Sequence, residues 1–194
     1  MKKFFVVISL FFIVFTTYGQ TLGSYSCSFL DKECIVVYSS KVEGYFIQIS
    51  SGKNHDNMNF LVDDKNMDKF RSALTEARNK YAEWIEVAKK NNVTKLDKEM
   101  DISFPKGTIC WTTSEARFCF GVAPKPRFLV KEGNYSFLLF SGRKVTASDN
   151  EYIDEEAYWV FSSVSEVDEL LELISPDALN KKKEQQQQTE DLFH

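Results

Sequence analysis

The spacing of apolar and polar residues changes several times along this chain, and each change marks an element. Residues 4–15 (FFVVISLFFIVF) are apolar except for Ser9; Lys2 and Lys3 precede them, and the small residue Gly19 comes just before Gln20. A basic head, an apolar run and a small residue before the cut make a secretory signal peptide, so residues 1–19 are expected to be removed and Gln20 to open the mature chain. The 12-residue run makes about 18 Å of helix against a hydrocarbon core of about 30 Å, which argues against a retained anchor. Tyr25, two residues before Cys27, and the distance back to Phe15 argue against a lipid-bearing cysteine. No later stretch has the length of a transmembrane span, so none is expected in the mature chain.

Strand-like segments come next. Residues 34–40 (CIVVYSS) are β-branched and apolar, Val42-Glu43-Gly44 breaks them, and Tyr45–Ser51 resumes the pattern. Residues 52–57 form a polar loop, and 59–62 are a further short apolar run. The period then lengthens. Met67, Phe70, Leu74, Ala77, Tyr81, Trp84 and Ala88 recur at steps of three and four, which stacks them on one face of a long helix. Asp63 or Asp64 caps its start, and it fades at Asn91-Asn92. The stripe reads as a helix lying on a sheet rather than as a coiled-coil seam.

After Leu96 the pattern is again that of strands. Met100–Phe104 ends at a Pro105-Lys106-Gly107 turn, Thr108–Thr113 and Ala116–Ala123 form one hairpin, and Arg127–Lys131 and Tyr135–Ser141 form another. Residues 148–156 are acidic and read as a loop, followed by a strand at Tyr158–Ser162. Ser165 with Asp168 opens a short helix through Ile174, which Pro176 stops. The low-complexity run NKKKEQQQQTED within residues 180–194 reads as a disordered tail.

The two halves resemble each other. Tyr45–Lys53 (YFIQISSGK) aligns with Tyr135–Arg143 (YSFLLFSGR), ninety positions later. A loop, a short apolar strand and a helix follow each, and a cysteine pair precedes each. The expectation is an α+β chain of two tandem repeats, 20–95 and 96–179, each a small antiparallel sheet backed by one helix. Together they would pack as one pseudo-symmetric unit or stand as two small domains.

Composition narrows the function. The formal net charge is −4, and loss of residues 1–19, which carry two lysines, takes it to −6. With no basic stripe, nucleic acid and anionic membrane surfaces are poor partners. The four cysteines, Cys27, Cys34, Cys110 and Cys119, are even in number, and in an oxidising compartment they are expected as disulfides Cys27–Cys34 and Cys110–Cys119. In the second hairpin a register pairing Cys110 with Cys119 also pairs Trp111 with Phe118 and Ile109 with Phe120. The spacings do not suit zinc, and no cofactor or metal is expected.

Candidate chemistry is sparse. His55 lies in a polar loop, and Ser50, Ser51, His55 and Asp56 are sequence neighbours without a nucleophile elbow. Asp97, Glu99 and Asp101 alternate along one possible strand, and Asp154–Glu156 crowd a loop, without the buried surroundings a general acid needs. No catalytic residue is therefore assigned. Trp111 and Trp159, on predicted strands, are the candidates for stacking on a ligand, whereas Trp84 belongs to the helix stripe. The leading reading is a non-catalytic binding or interaction module of a bacterial envelope or its exterior, with a protein or glycan partner. The alternatives are a hydrolase using the carboxylates after Leu96 and an exported enzyme inhibitor.

Overall fold

The computed structural model of the chain describes residues 19–52, 58–112 and 115–191. Residues 1–18 of the expected signal segment and His55 lie outside them. The architecture is α+β, as expected, with strands β1 (Gln20–Cys27), β2 (Lys32–Ser39), β3 (Gly44–Ser51) and β4 (Met58–Asp63), then helix α1 (Asp64–Lys90). There follow β5 (Lys95–Glu99), β6 (Gly107–Thr112), β7 (Ala116–Val122), β8 (Arg127–Lys131), β9 (Asn134–Ala147) and β10 (Asn150–Phe161). Helices α2 (Val164–Leu173) and α3 (Pro176–Asp191) end the described chain.

The sheet is larger than the two small sheets expected. All ten strands belong to one antiparallel system, and its main path runs β5-β8-β9-β10-β3-β4-β6-β7. β2 pairs with the first half of β3, from Gly44 to Ile47, and β1 pairs with β2. β10 takes the end of that same edge through Ser50 and Ser51. β3 therefore joins two blocks, β1-β2-β3-β4-β6-β7 and β5-β8-β9-β10.

Alternation along the strands decides what is buried. Val36 and Tyr38 of β2, Tyr45, Ile47 and Ile49 of β3, and Met58, Phe60 and Val62 of β4 face one side and are buried. α1 covers that side with Met67, Phe70, Leu74, Ala77, Tyr81 and Ala88, six of the seven stripe positions; Trp84 is half-buried. Asp63 caps the helix by accepting from the Asn66 N–H at 2.9 Å, which satisfies one of the donors a helix start leaves free. Phe60, Phe70, Phe140 and Trp159 form the centre of the core, with ring centroids 5.5–6.0 Å apart.

The helices tie the two blocks together. The C-terminal half of α1 leaves β4 and packs Tyr81 on Phe128 of β8 and Phe137 of β9. α2 packs on β1: Glu166 and Glu169 accept from the backbone N–H groups of Ser28 and Ser26. A Cβ on Gly23 of β1 would stand 2.5 Å from Leu173 Cδ2 at the end of a side chain of α2, which would have to turn aside. Arg78 of α1 makes a two-pronged pair with Asp168 of α2, both contacts at 2.7 Å.

Several elements differ from the sequence reading. Residues 100–106 form no regular strand, and the pairing segment is β5 just before them. The acidic stretch expected as a loop is the first half of β10, which extends as a ribbon with β9; residues 150–152 near the tip are exposed and the buried position that follows is Glu155, so no apolar alternation marks the strand. The α2 cap is Ser163, not Ser165: its Oγ accepts from Glu166 N–H, and the Glu166 carboxylate reaches back to Ser162 N–H. Pro176 ends α2 but also starts α3, since proline suits a first helical turn. The polar tail is thus helical as far as Asp191.

Candidate binding site

The hairpin β6–β7 carries the cysteine pair, and its register differs by one residue from the expected one. Gly107, expected in the preceding turn, faces Val122, and beyond it Thr108 faces Phe120, Ile109 faces Cys119, Cys110 faces Phe118 and Trp111 faces Arg117. The cause is a bulge at Gly121, whose φ of +69° is open to glycine at little cost. A slip of one residue turns every side chain to the other face. Ile109 and Trp111 go into the core at 0% and 1% exposure. Cys110 and Cys119 consequently point to opposite sides of the hairpin.

The same slip sends Phe118 and Phe120 outward. They are 40% and 66% exposed, and their rings lie parallel to within 2° with centroids 6.0 Å apart. Their strand, β7, ends the sheet path. Its outer edge is met by the β9–β10 tip: Ser148 N–H donates to Phe118 O at 2.7 Å, and Phe120 N–H donates to Ser148 Oγ at 3.2 Å. Arg117 fixes this contact by pairing with Glu115 at 2.9 Å and Asp149 at 2.8 Å. Tyr152, four residues past Ser148 on the same hairpin, is 87% exposed. Two aromatic rings are thereby held in water on an ion-paired edge with acidic neighbours.

The tryptophans expected to grip a ligand do not face solvent. Trp159 packs among Phe60, Phe70, Phe140 and Phe161, and Trp111 is equally enclosed. Core packing wins because a large apolar ring gains most when fully buried. Outward aromatics were legible only as apolar positions of a strand; without the bulge their direction could not be read.

None of the four cysteine sulfurs lies at bonding distance from another. Cys27 and Cys34 are nonetheless neighbours. Tyr25 faces Cys34 and Cys27 faces Lys32, which sets the two cysteines diagonally on one face. The Cys34 thiol hydrogen-bonds Cys27, which pulls Cys27 down and, together with burial, holds Cys34 far up. Burial pushes the Cys110 thiol up to about 12, and its Sγ donates to Asn59 O at 3.6 Å.

The carboxylates after Leu96 divide. Asp97 is paired with Arg127 at 2.8 Å, and Glu99 lies 3.9 Å from the same guanidinium. Glu99 and Asp101 line a groove of about 490 Å³ between residues 99–104 and 123–126. Its other wall is Ala123, Pro124, Lys125 and Pro126, without a carboxylate to act across a bound sugar. Asp154 pairs with Lys144 at 2.7 Å on the β9–β10 ribbon. Among the described residues no group of three or more His, Cys, Asp or Glu side chains is placed to hold a metal ion, and no helix is long and apolar enough to cross a membrane. No protein-family model matches the chain, and no curated protein or solved structure is significantly similar to it.

Proposed function

We propose that the chain is a non-catalytic, exported interaction module whose contact surface is centred on Phe118 and Phe120. The observation that carries this reading is the parallel pair of rings kept in water on an edge strand whose geometry is fixed by Arg117 and Ser148. Exposed apolar area costs free energy in the isolated chain, and a partner that covers it recovers that cost. The partner is a protein or glycan surface able to lie flat on aromatic rings. The test is titration of residues 20–191 with panels of glycans and peptides, alongside assays for ester, peptide and glycoside turnover. Saturable binding without turnover, lost in the Phe118→Ala/Phe120→Ala double variant, is expected. Turnover abolished by Asp101→Asn would replace this reading with the hydrolase.

Export rests on the sequence of residues 1–19, and intact mass spectrometry of the recovered protein should give a chain beginning at Gln20. In an oxidising compartment the neighbouring Cys27 and Cys34 are the pair we expect to cross-link. A non-reducing peptide map checks this, and free thiols throughout would contradict it.

We further infer an internal duplication. What supports it is the order of elements: β1-β2-β3-β4 is followed by α1, and β5-β8-β9-β10 by α2, each an antiparallel run of four neighbouring strands ending in a capped helix. The hairpin β6–β7 would then be an insertion in the second unit. The caps Asp63 and Ser163 stand one hundred positions apart, and the glycines of both Ser-Gly dipeptides, Gly52 and Gly142, abut Tyr158. Each helix also packs on the other unit's sheet, which favours one domain over two.

A further inference from the structure

The last helix holds a second site, independent of Phe118 and Phe120. α3 follows α2 after only two residues, and Leu179 is the only one of its described side chains that is buried. The rest of the helix is polar, so little apolar burial holds it in place. What it covers is different in kind. Tyr38 and Tyr45 meet edge to face at 5.0 Å, and Tyr38 OH donates to Asp64 Oδ2 at 2.8 Å. Asp64 and Asp68, in the first turns of α1, line the same cleft with Arg71, which pairs with Asp68 at 3.3 Å, so Asp64 is the carboxylate on which the charge match rests. Into it α3 brings Leu179 and, one turn on, Lys183, whose Nζ stands 5.3 Å above the Tyr38 ring. A cation over an aromatic face with a carboxylate beside it is a matched contact. The fit is nevertheless incomplete, for about 310 Å³ between α3 and the cleft is unfilled, with Asn180 on its wall.

We propose that this cleft is a docking site for a basic amphipathic helix of a partner protein, and that α3 occupies it in the free chain as a weak internal stand-in. The chemistry of the partner follows from the stand-in: an apolar residue and a lysine or arginine one turn apart, with a larger apolar side chain where α3 places Asn180. Such a helix buries more than α3 does and displaces it.

The probe is a fluorescent synthetic peptide of residues 176–191 carrying Asn180→Phe, titrated into residues 20–191. Two variants weaken the internal helix differently: Leu179→Asp replaces the buried one among its described side chains, and Lys183→Glu reverses the charge over Tyr38 beside Asp64. Both should bind the peptide roughly tenfold more tightly than the unaltered chain, since the competitor is lost. Adding Asp64→Lys to either should remove the gain, and a peptide with Lys183→Glu should bind least. Equal affinity for all of these chains, or a gain that survives Asp64→Lys, would overturn the proposal. Circular dichroism confirms that each variant is folded, and the Lys183→Glu variant, altered at an exposed position, keeps the test decisive if Leu179→Asp does not fold.

Discussion

Glu166 is the residue whose role is greatest for its small sequence signal. Its side chain is 2% exposed, yet it is fully employed: it accepts from the N–H groups of Ser162 and Ser28, closing its own helix cap and binding the β1–β2 turn to α2. A buried acceptor that is removed leaves its donors without partners, so Glu166→Ala should cost about 2–3 kcal/mol in a denaturant titration. A loss below about 0.5 kcal/mol, the level of an ordinary surface change, would contradict this role. The capping-box pattern is visible in the sequence, but Ser163 and Ser165, two residues apart, offer the same chemistry to the same helix. That the glutamate also serves a turn 138 residues away is a tertiary fact with no local trace.

At the scale of elements, the sequence was informative where burial imposes a period. The α1 stripe, its Asp63 cap and its end at Asn91 all follow from spacing and capping chemistry. So do β2, β3 and β4. The pattern is silent where few positions are apolar, as at the tip of the β9–β10 ribbon and in the polar run of α3 after Leu179. It misleads where one residue is bulged out of a ladder. The β6–β7 register turned on Gly121, and a symmetric pairing rule cannot see a glycine that is bulged out. Gly121→Ala meets no atom within 4 Å, so only its left-handed backbone is at issue. It should cost about 1–2 kcal/mol; an unchanged midpoint would mean that the bulge relaxes at no expense. The candidate site is partly legible for the same reason: the hairpin follows from the pattern, but a register without the bulge puts the outward rings on the opposite face.

At the scale of the whole molecule, each helix crosses to the sheet of the other half, so the halves should unfold together. Arg78 and Asp168 join the two helices. The guanidinium hydrogen bonds hold the Asp168 carboxyl below the usual carboxylate range. The contribution of a depressed acid is present above its unfolded value, about 3.9, and is lost as pH falls through its folded value. With nearly half of the Asp168 side chain in water, Asp168→Asn should cost only about 0.5–1 kcal/mol at pH 7. The gap from the unaltered protein should close once the pH falls below the folded value of Asp168, and a gap that persists in acid would show that the substitution acts through packing.

The ion-paired β7 edge displays Phe118 and Phe120 in water. The most direct test is site-specific photo-crosslinking in the native host. A benzoyl-phenylalanine at position 120 of the full chain, compared with one at the exposed Glu132 in the β8–β9 turn, should give a discrete adduct that the Glu132 probe does not. Loss of that adduct on adding Phe118→Ala would place the contact on the paired rings. No adduct at position 120, or the same adduct from position 132, would contradict the account.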